Sequence, residues 1–213
     1  MFYEYKIMFL ELTKDKALPD RDIEIEVSQF HFVNNREVKN NYPNGAEKIF
    51  LGLGCFWGAE RLFWQQSNVH VTSVGYGGGF TKNPTYQDLC TGQTGHAELV
   101  QIVLDKREDA FKQILKVFWE NHDPTQGMRQ GNDIGTQYRS CIYVQNERFL
   151  KIAKSSLESY QEVLNRNNFG AEITTEICID KDFFYAEDYH QQYLAKNPEG
   201  YCGIKGTGLE FEV

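Results

Sequence analysis

The chain has 213 residues, of which 41% are hydrophobic and 14% aromatic, and its formal net charge is −8. This length predicts a single domain with an ordinary core, and the negative charge argues against binding to nucleic acid, which attracts basic surfaces. No apolar run approaches the roughly 20 residues of a membrane-spanning helix. The N-terminus also lacks the long apolar stretch and the cleavage site of a signal peptide, so we expect a cytoplasmic protein that does not bind membranes.

The first 46 residues differ in composition from the rest of the chain. They are rich in Asn, Asp, Glu and Lys, and they end in a turn-forming run at residues 40–45. Apolar and acidic residues alternate over residues 23–27, which predicts a short strand. We expect residues 1–46 to form an extension that wraps the core, and residues 47–213 to form the main domain with a Gly-rich C-terminal tail.

Hydrophobic periodicity predicts alternating strands and helices from residue 47 onward. The predicted strands are residues 49–53, 69–75, 96–105, 139–145 and 173–180, and the predicted helices are residues 59–64, 109–122, 147–164 and 187–195. A polar, Gly-rich loop is predicted between the second helix and the fourth strand. This alternation indicates a layered α+β or α/β protein.

The cysteines and histidines form no pattern of a disulfide framework or a metal site. The five cysteines are Cys55, Cys90, Cys141, Cys178 and Cys202. Their odd number and the lack of a Cys-x-x-Cys pair favour reduced thiols, one or two of them reactive. His96, His122 and His190 lack zinc-site spacing and are predicted to be structural. We therefore expect no metal and no cofactor.

Cys55 is the strongest candidate for a reactive group. It lies in Gly54-Cys55-Phe56-Trp57-Gly58, between a predicted strand and a predicted helix. Backbone N–H groups and the dipole at a helix N-terminus favour a thiolate, and the glycines permit a sharp turn and a close approach by a substrate. Phe56 and Trp57 would form an apolar wall. The alternative is that Cys55 is a small buried hydrophobe, as most free cysteines are.

Glu98 is the second candidate, because period two places it on the same strand face as the apolar residues 100, 102 and 104. A carboxyl group at an apolar face has a raised pKa and can donate a proton near neutral pH. The alternative is a glutamate at a strand end with its carboxylate in water.

Three further features come from loops. Residues 123–140 are long and rich in Gly, Gln and Asn, which is typical of a site loop but also of a solvated surface loop. Tyr86 is ambiguous by itself, since the chain has 12 tyrosines. Cys202 lies in a Gly-rich tail, where a mobile and accessible thiol could reach another sulfur. Cys90, Cys141 and Cys178 are predicted to be packed and inert.

These motifs together resemble the peptide methionine sulfoxide reductase A family. Five occur in order over about residues 47–206: the Cys55 turn, the Pro-Thr-Tyr ending at Tyr86, the His-Ala-Glu ending at Glu98, the Asn-Asp loop at residues 131–140, and the Tyr-Cys-Gly around Cys202. The resemblance implies an α+β fold, a two-layer sandwich around a ferredoxin-like βαβ core with long coil segments. The chain departs from the usual pattern of the family at two points. Ile134 stands where the family usually has His, and the C-terminal tail lacks the second recycling cysteine that many members carry.

The resemblance also implies how the protein acts. Cys55 attacks the sulfur of a methionine-S-sulfoxide, free or in an oxidised protein or peptide, and becomes a sulfenic acid. Glu98 protonates the oxygen, Tyr86 and Tyr138 donate hydrogen bonds to it, and Phe56 and Trp57 hold the S-methyl group.

Two further residues and one partner are implied for recycling. Asp133 orients the loop and the incoming thiol, and Cys202 condenses with the sulfenic acid. Thioredoxin reduces the resulting disulfide. A monomer is expected.

Two other classes of function stay open from the residues themselves. A cysteine hydrolase or acyltransferase needs a His base and an orienting Asn or Asp beside the thiol, and no histidine lies in such a motif. A non-catalytic module that binds methionine sulfoxide or peptides would need only an unreactive Cys55, so titration of that thiol separates it from an enzyme.

Overall fold

A computed structural model of the chain describes residues 12–105 and 107–212. The strands are β1 (Ala46–Leu53), β2 (Val69–Gly77), β3 (Ala97–Asp105), β4 (Arg129–Gln130), β5 (Asp133–Ile134), β6 (Ser140–Val144), β7 (Glu176–Ile179) and β8 (Phe183–Tyr185). The α-helices are α1 (Phe56–Trp64), α2 (Tyr86–Cys90), α3 (Glu108–Asn121), α4 (Glu147–Arg166) and α5 (Tyr193–Lys196). Among these described residues, no helix combines the length and the apolar character needed to cross a membrane.

Six of the strands form one sheet in the order β7-β6-β1-β3-β2-β8, while β4 and β5 pair with each other. β3 is antiparallel to both β1 and β2 and lies between them, and β6 is antiparallel to β1 on its other side. With α1 between β1 and β2, and α3 between β3 and β6, this is the ferredoxin-like arrangement, so the expected α+β fold is confirmed. β7 extends the sheet in parallel with β6.

Side-chain alternation divides the sheet into two faces. One face carries Ile49, Leu51, Val100 and other alternate residues, which pack in one core with apolar residues of α1, α3 and α4. The other face carries a smaller buried cluster in which the Phe50 ring stacks on a ring of β8 with centroids 5.0 Å apart. The helices therefore cover one face and form the second layer of the sandwich.

Strand register brings the end of β1 next to the start of β3. The pairing that joins Leu51 to Val100 continues along the antiparallel strands, so the residue after Leu53 leaves the sheet beside the first residues of β3. Glu98 lies on the helix-covered face, opposite Tyr76 of β2. The two strongest sequence candidates, Cys55 and Glu98, thus meet at the end of the sheet where β1 finishes and β3 begins.

The N-terminal segment contacts β2 and the chain after β8. The His31 Nε2 atom lies 3.0 Å from the Thr72 hydroxyl, and the backbone N–H of Ser28 donates to Asp188 at 2.7 Å. The strand predicted at residues 23–27 is wrong. The side chains at 25 and 27 are half-buried as alternation expects, but Ile23 is 80% exposed and the backbone of the run pairs with no strand of the described chain.

Other boundaries also differ from the sequence prediction. The helix predicted at residues 187–195 is mostly wrong, because turns occupy its first part and Gln192 has a left-handed backbone (φ 48°) just before α5. The helix α2 is missed, since its five residues are set by a capping box between Thr85 and Asp88 and not by apolar periodicity. The strand β8 is also missed, because an alternating pattern cannot be recognised in three residues.

The His31 side chain provides a test of the N-terminal contacts. His31→Phe keeps an aromatic ring but removes the bond to Thr72 and the Nδ1 acceptor for the backbone N–H groups of Val33 and Asn34. We expect the free energy of unfolding to fall by roughly 1–3 kcal/mol, because buried polar groups lose their partners. Urea denaturation measures this, with exposed Glu26→Gln in the same segment as the control. Equal stability of both variants would contradict the prediction.

Candidate active site

Cys55 is the N-cap residue of α1 and follows β1 by two residues. Gly54 makes the turn between them, with φ of +95°, and a Cβ atom there would lie 2.7 Å from the side chain of Gln130. Only glycine accommodates both the left-handed backbone and the close approach. The strand-to-helix turn predicted from the sequence is therefore present, and it places the thiol at the start of α1.

The charge of Cys55 differs from the sequence prediction of a thiolate. Burial raises the pKa of the Cys55 thiol, and the neighbouring Glu98 carboxylate raises it further. The backbone N–H groups of Trp57 and Gly58 lower the pKa, but by less. The cost of desolvating a charged sulfur exceeds the gain from the helix N-terminus, so the free protein holds a neutral thiol.

Glu98 lies against the same helix N-terminus. Its Oε2 atom accepts a hydrogen bond of 2.9 Å from the backbone N–H of Phe56, the residue after Cys55, and only 3% of Glu98 is exposed. Burial raises the pKa of Glu98 to about 8, the Phe56 N–H lowers it, and Asp133 raises it. The carboxyl group is thus protonated at neutral pH, as its apolar strand face predicts.

Tyr86 and Tyr138 approach this pair from two other elements. Tyr86 begins α2, and Tyr138 ends a short 3-10 turn at residues 136–138. Burial is the main cause that raises the pKa of each phenol, and both Glu98 and Cys55 raise it further. Both tyrosines therefore keep their protons and lie near Cys55 and Glu98, and the Tyr86 hydroxyl forms a hydrogen bond with the Cys90 thiol.

Asp133 lies in β5 and contacts the C-terminal tail. Its Oδ2 atom accepts a hydrogen bond of 3.2 Å from the Tyr201 hydroxyl. Asp133 also raises the pKa values of Glu98 and Cys55, which places its charge near both groups. The small β4–β5 hairpin thus connects the pocket to the tail.

Cys202 is exposed, as expected, but its tail is packed along the helices. The Cys202 sulfur lies 3.1 Å from the Arg61 guanidinium, and a Cβ atom on Gly58 would be 2.9 Å from that sulfur. Further on, Phe211 is buried and its backbone N–H donates to Glu120 at 2.7 Å. These side-chain anchors are not visible in the glycine content of the tail, and the predicted mobility of Cys202 stays a prediction.

The remaining cysteines lie in different surroundings. All five cysteines are free. Cys141 is buried and Cys178 half-buried, as their predicted strands suggest, but Cys90 is exposed at the end of α2, so its prediction as packed is wrong. Cys90 raises the pKa of Tyr86. The sequence does not show that the short helix α2 leaves its last residue at the surface.

An aromatic group surrounds the start of α1. Phe56 is 1% exposed, while Trp57 is half-buried and stacks on Tyr193 of α5 with ring centroids 3.8 Å apart. The Trp57 indole N–H donates to His190 Nδ1 at 2.9 Å. Sequence reasoning found Phe56 and Trp57 but missed Tyr193, because nothing in the local sequence around either residue shows that α5 lies against α1.

The histidines make the hydrogen bonds expected of structural groups. His96 bonds to the Thr81 carbonyl at 2.7 Å, and His122 bonds to the Phe118 carbonyl and the Ser140 hydroxyl, each at 2.7 Å. Within residues 12–105 and 107–212, no three His, Cys, Asp or Glu side chains group as metal ligands would. The His190 ring packs on Phe56 with ring centroids 5.1 Å apart, and its Nδ1 atom accepts from Trp57, so that nitrogen is not free to act as a base.

Sequence comparison relates this chain to known proteins along its whole length. A family model described as peptide methionine sulfoxide reductase matches residues 47–210. The peptide methionine sulfoxide reductase MsrA of Agrobacterium fabrum is 55% identical over 201 residues, which cover 94% of this chain and 93% of that protein. MsrA of Brucella ovis is 51% identical over 212 residues, covering 100% of this chain and 97% of its own. The similarity thus extends into residues 1–46, beyond the range suggested by the motifs.

Solved structures agree with the sequence comparison. Methionine sulfoxide reductase A of Corynebacterium diphtheriae has a TM-score of 0.82 at 42% identity, covering 89% of this chain and 92% of that chain. Reduced Mxr1 from Saccharomyces cerevisiae has a TM-score of 0.69 at 33% identity, covering 77% of this chain and 92% of that chain.

The half-buried Cys55 thiol beside the buried Glu98 carboxyl, on a ferredoxin-like sheet, favours the class of thiol oxidoreductases. The chain belongs to the peptide methionine sulfoxide reductase family. It is an oxidoreductase that acts on the oxidised sulfur of methionine sulfoxide, as its resemblance to that family implies.

Alkylation tests the charge coupling between the half-buried Cys55 thiol and the buried Glu98 carboxyl. Glu98→Gln removes the carboxylate that raises the pKa of Cys55, while the amide oxygen can still accept from the Phe56 N–H. We expect the alkylation rate of Cys55 to rise at a lower pH than in the unchanged protein, because the thiolate forms more easily. Peptide mapping separates Cys55 from exposed Cys90 and Cys202. An identical pH profile in both proteins would show that Glu98 carries no charge that Cys55 senses.

Proposed function

We propose that Cys55 attacks the sulfoxide sulfur of a methionine-S-sulfoxide while Glu98 protonates its oxygen. The observation that supports this most is the 2.9 Å hydrogen bond from the Phe56 N–H to Glu98, which holds the carboxyl beside the residue that carries the nucleophile. A carboxyl group that stays neutral to about pH 8 is a competent general acid at physiological pH. The oxygen then passes from the methionine sulfur to the Cys55 sulfur as the bond between the two sulfurs breaks, which releases methionine and leaves Cys55 as a sulfenic acid.

In this proposal the two tyrosines bind the oxygen of the sulfoxide, and an aromatic wall formed by Phe56 and Trp57 binds its methyl group. Tyr86 and Tyr138 donate hydrogen bonds to the oxygen, where negative charge grows as the sulfur is attacked. Phe56 and Trp57 hold the S-methyl group. An oxygen directed to the tyrosines and a methyl group directed to the indole fix the handedness at sulfur, which supports selection of one epimer. Free methionine sulfoxide and oxidised peptides or proteins share this group and are the proposed substrates.

Proton balance favours a neutral starting state. In the overall reaction, a sulfoxide and a thiol give a sulfide and a sulfenic acid. Glu98 gives its proton to the sulfoxide oxygen, and the Cys55 thiol proton then restores the acid. Because burial keeps both groups protonated, the protein starts with both protons in place, and the thiolate forms as the oxygen takes up charge.

Cys202 is the proposed resolving thiol. Its sulfur lies over Gly58, one helical turn from Cys55, and Asp133 is bound to the neighbouring Tyr201. The Cys202 thiol displaces water from the Cys55 sulfenic acid to form a disulfide, and thioredoxin reduces that disulfide by thiol exchange. Asp133 orients the loop and the incoming thiol. We place this chemistry in the cytoplasm, in a monomer.

The division of the chain follows from the same site. All proposed site residues lie within residues 47–213, which we propose as the catalytic domain. Residues 1–46 are proposed to be a wrapping extension, and contacts such as that between His31 and Thr72 support this role.

The role of Glu98 is tested by the pH dependence of a single turnover. Its acid form is required, and the folded pKa is raised to about 8, so the rate of methionine release should fall as pH rises through that value. Glu98→Gln should lower the rate by roughly 10²–10⁴-fold and lose this fall, because the amide cannot donate an acidic proton. The measurement is rapid-quench release of methionine without external reductant. An unchanged rate in Glu98→Gln would assign protonation elsewhere, and exposed Glu162→Gln is the control.

The two thiols are separated by counting methionine released per chain. Cys202→Ser should release about one methionine per chain, but lose turnover with thioredoxin, since no disulfide forms. A small thiol such as dithiothreitol should partly restore its turnover. Cys55→Ser should release none. Serine at positions 90, 141 and 178 should leave thioredoxin-driven turnover close to that of the unchanged protein, and loss of turnover in one of these three with retention in Cys202→Ser would reassign the resolving thiol.

A further inference from the structure

The side chain of Arg61 in α1 contacts the sulfur atom of Cys202. The Arg61 Nη2 atom lies 3.1 Å from that sulfur. Arg61 is half-buried, and its guanidinium forms no ion pair with a carboxylate of residues 12–105 and 107–212. The positive charge of Arg61 is therefore not shared with an acidic side chain of the described chain, and the group that it contacts is a thiol.

Gly58 allows this sulfur to lie close to the backbone of α1. A Cβ atom on Gly58 would lie 2.9 Å from the Cys202 sulfur and 2.5 Å from Cγ1 of Ile204, and both distances are too short for real contacts. Residues 55, 58 and 61 are spaced three apart, which makes each the neighbour of the next on the helix surface. The sulfur thus lies over the middle member of this row, with Cys55 on one side and Arg61 on the other.

Tyr201 connects the two thiols from the side of the tail. Burial raises the pKa of the Tyr201 phenol most, and Asp133, Cys55 and Cys202 raise it further. Interactions between charges weaken with distance, so both sulfurs lie near the same phenol. The Tyr201 hydroxyl also donates to Asp133 at 3.2 Å. These contacts keep the backbone that carries Cys202 beside the pocket of Cys55.

The contact with Arg61 has a chemical consequence for disulfide formation. A guanidinium can only donate hydrogen bonds, so the Cys202 sulfur is the acceptor, and a hydrogen bond to an ionised acceptor is stronger than one to a neutral acceptor. In this step the Cys202 thiol gives up its proton and its sulfur bonds to the Cys55 sulfur. The S–O bond of the sulfenic acid breaks, and the oxygen leaves as water with that proton. The negative charge on the attacking sulfur forms beside the guanidinium.

We infer that Arg61 is a catalytic residue of the resolving step, which holds the Cys202 sulfur over Gly58 and stabilises the thiolate that attacks the Cys55 sulfenic acid. This inference rests on the proposed role of Cys202 as the resolving thiol. It assigns both steps of the reaction to one helix. The nucleophile of the first step caps the N-terminus of α1, and the cation that assists the second step lies within the next two turns.

The rate of disulfide formation tests this role. Arg61→Gln removes the charge and keeps a polar side chain suited to a helix, Arg61→Lys keeps the charge, and Arg166→Gln removes an exposed arginine of α4 as the control. Methionine sulfoxide is added without external reductant, and intact masses of quenched samples give the sulfenic acid and the disulfide over time.

Arg61→Gln should slow the conversion of sulfenic acid to disulfide by about 10-fold, as expected for one lost hydrogen bond to a charged group. The rate of methionine release should change less. Arg61→Lys should recover part of the rate, because it restores the charge but not the planar geometry of the guanidinium. Conversion as fast in Arg61→Gln as in Arg166→Gln would overturn the inference.

Alkylation of the reduced protein tests the contact without any turnover. After brief treatment with iodoacetamide at neutral pH, peptide mapping measures the labelling of Cys202 and of Cys90, which is also exposed and serves as the internal control. Arg61→Gln should slow the labelling of Cys202 by about 2- to 5-fold, the size of a charge contact at a surface, because the thiolate is the reactive form. Equal or faster labelling of Cys202 would overturn the inference. Arg61→Met provides a second uncharged side chain if Arg61→Gln does not fold.

Cys202→Ser distinguishes failure of this inference from failure of the proposed function. If Cys202→Ser loses turnover with thioredoxin and Arg61→Gln forms the disulfide at the unchanged rate, Arg61 takes no part in the resolving step and the proposed function stands. If Cys202→Ser keeps turnover with thioredoxin, Cys202 is not the resolving thiol, and both the proposed recycling step and the inference are wrong.

Discussion

The pairing of the half-buried Cys55 thiol with the buried Glu98 carboxyl at one helix N-terminus is the interaction on which the rest of this site depends. Cys55 is the N-cap residue of α1, and Glu98 of β3 accepts a hydrogen bond from the Phe56 N–H of the same helix. Burial is the main cause of the raised pKa of each group. Like charges repel strongly where water is excluded, so the pair does not hold two negative charges. The resting protein therefore holds both the proton that the sulfoxide oxygen takes up and the thiol proton that restores the acid. It also avoids a reactive thiolate in the absence of substrate.

The ferredoxin-like sheet makes this pairing possible. Because β1 and β3 are antiparallel neighbours, the end of one strand meets the start of the other, and the turn at Gly54 and the residue Glu98 arrive at the same edge. The α1 N-terminus then lies over the carboxyl, and its first N–H, from Phe56, is satisfied by the same group that we propose as the acid. This hydrogen bond serves both the fold and the site, because the first N–H group of the helix needs an acceptor and Glu98 provides it.

Segments distant in sequence complete the pocket. The tail brings Cys202 over Gly58, the β4–β5 hairpin brings Asp133 to Tyr201, and the turns after β8 bring His190 to Trp57. The N-terminal segment contacts these same turns, where the Ser28 N–H donates to Asp188. Coil segments with little regular structure thus hold the walls in place through side-chain contacts, in agreement with the long coil segments that the family resemblance implies.

The sequence by itself determined the main strands and helices, the turn around Cys55 and the burial of Glu98, because periodicity and glycine placement are local properties. Family motifs added Tyr86, Tyr138, Asp133 and Cys202. Only the tertiary structure decided that the Cys55 thiol is neutral and that Cys90 is exposed, since burial depends on which distant segments pack nearby. It alone revealed the contacts of His190 and Tyr193. Hydrophobic periodicity cannot predict a hydrogen bond such as that between Trp57 and His190, which are 133 positions apart in the chain.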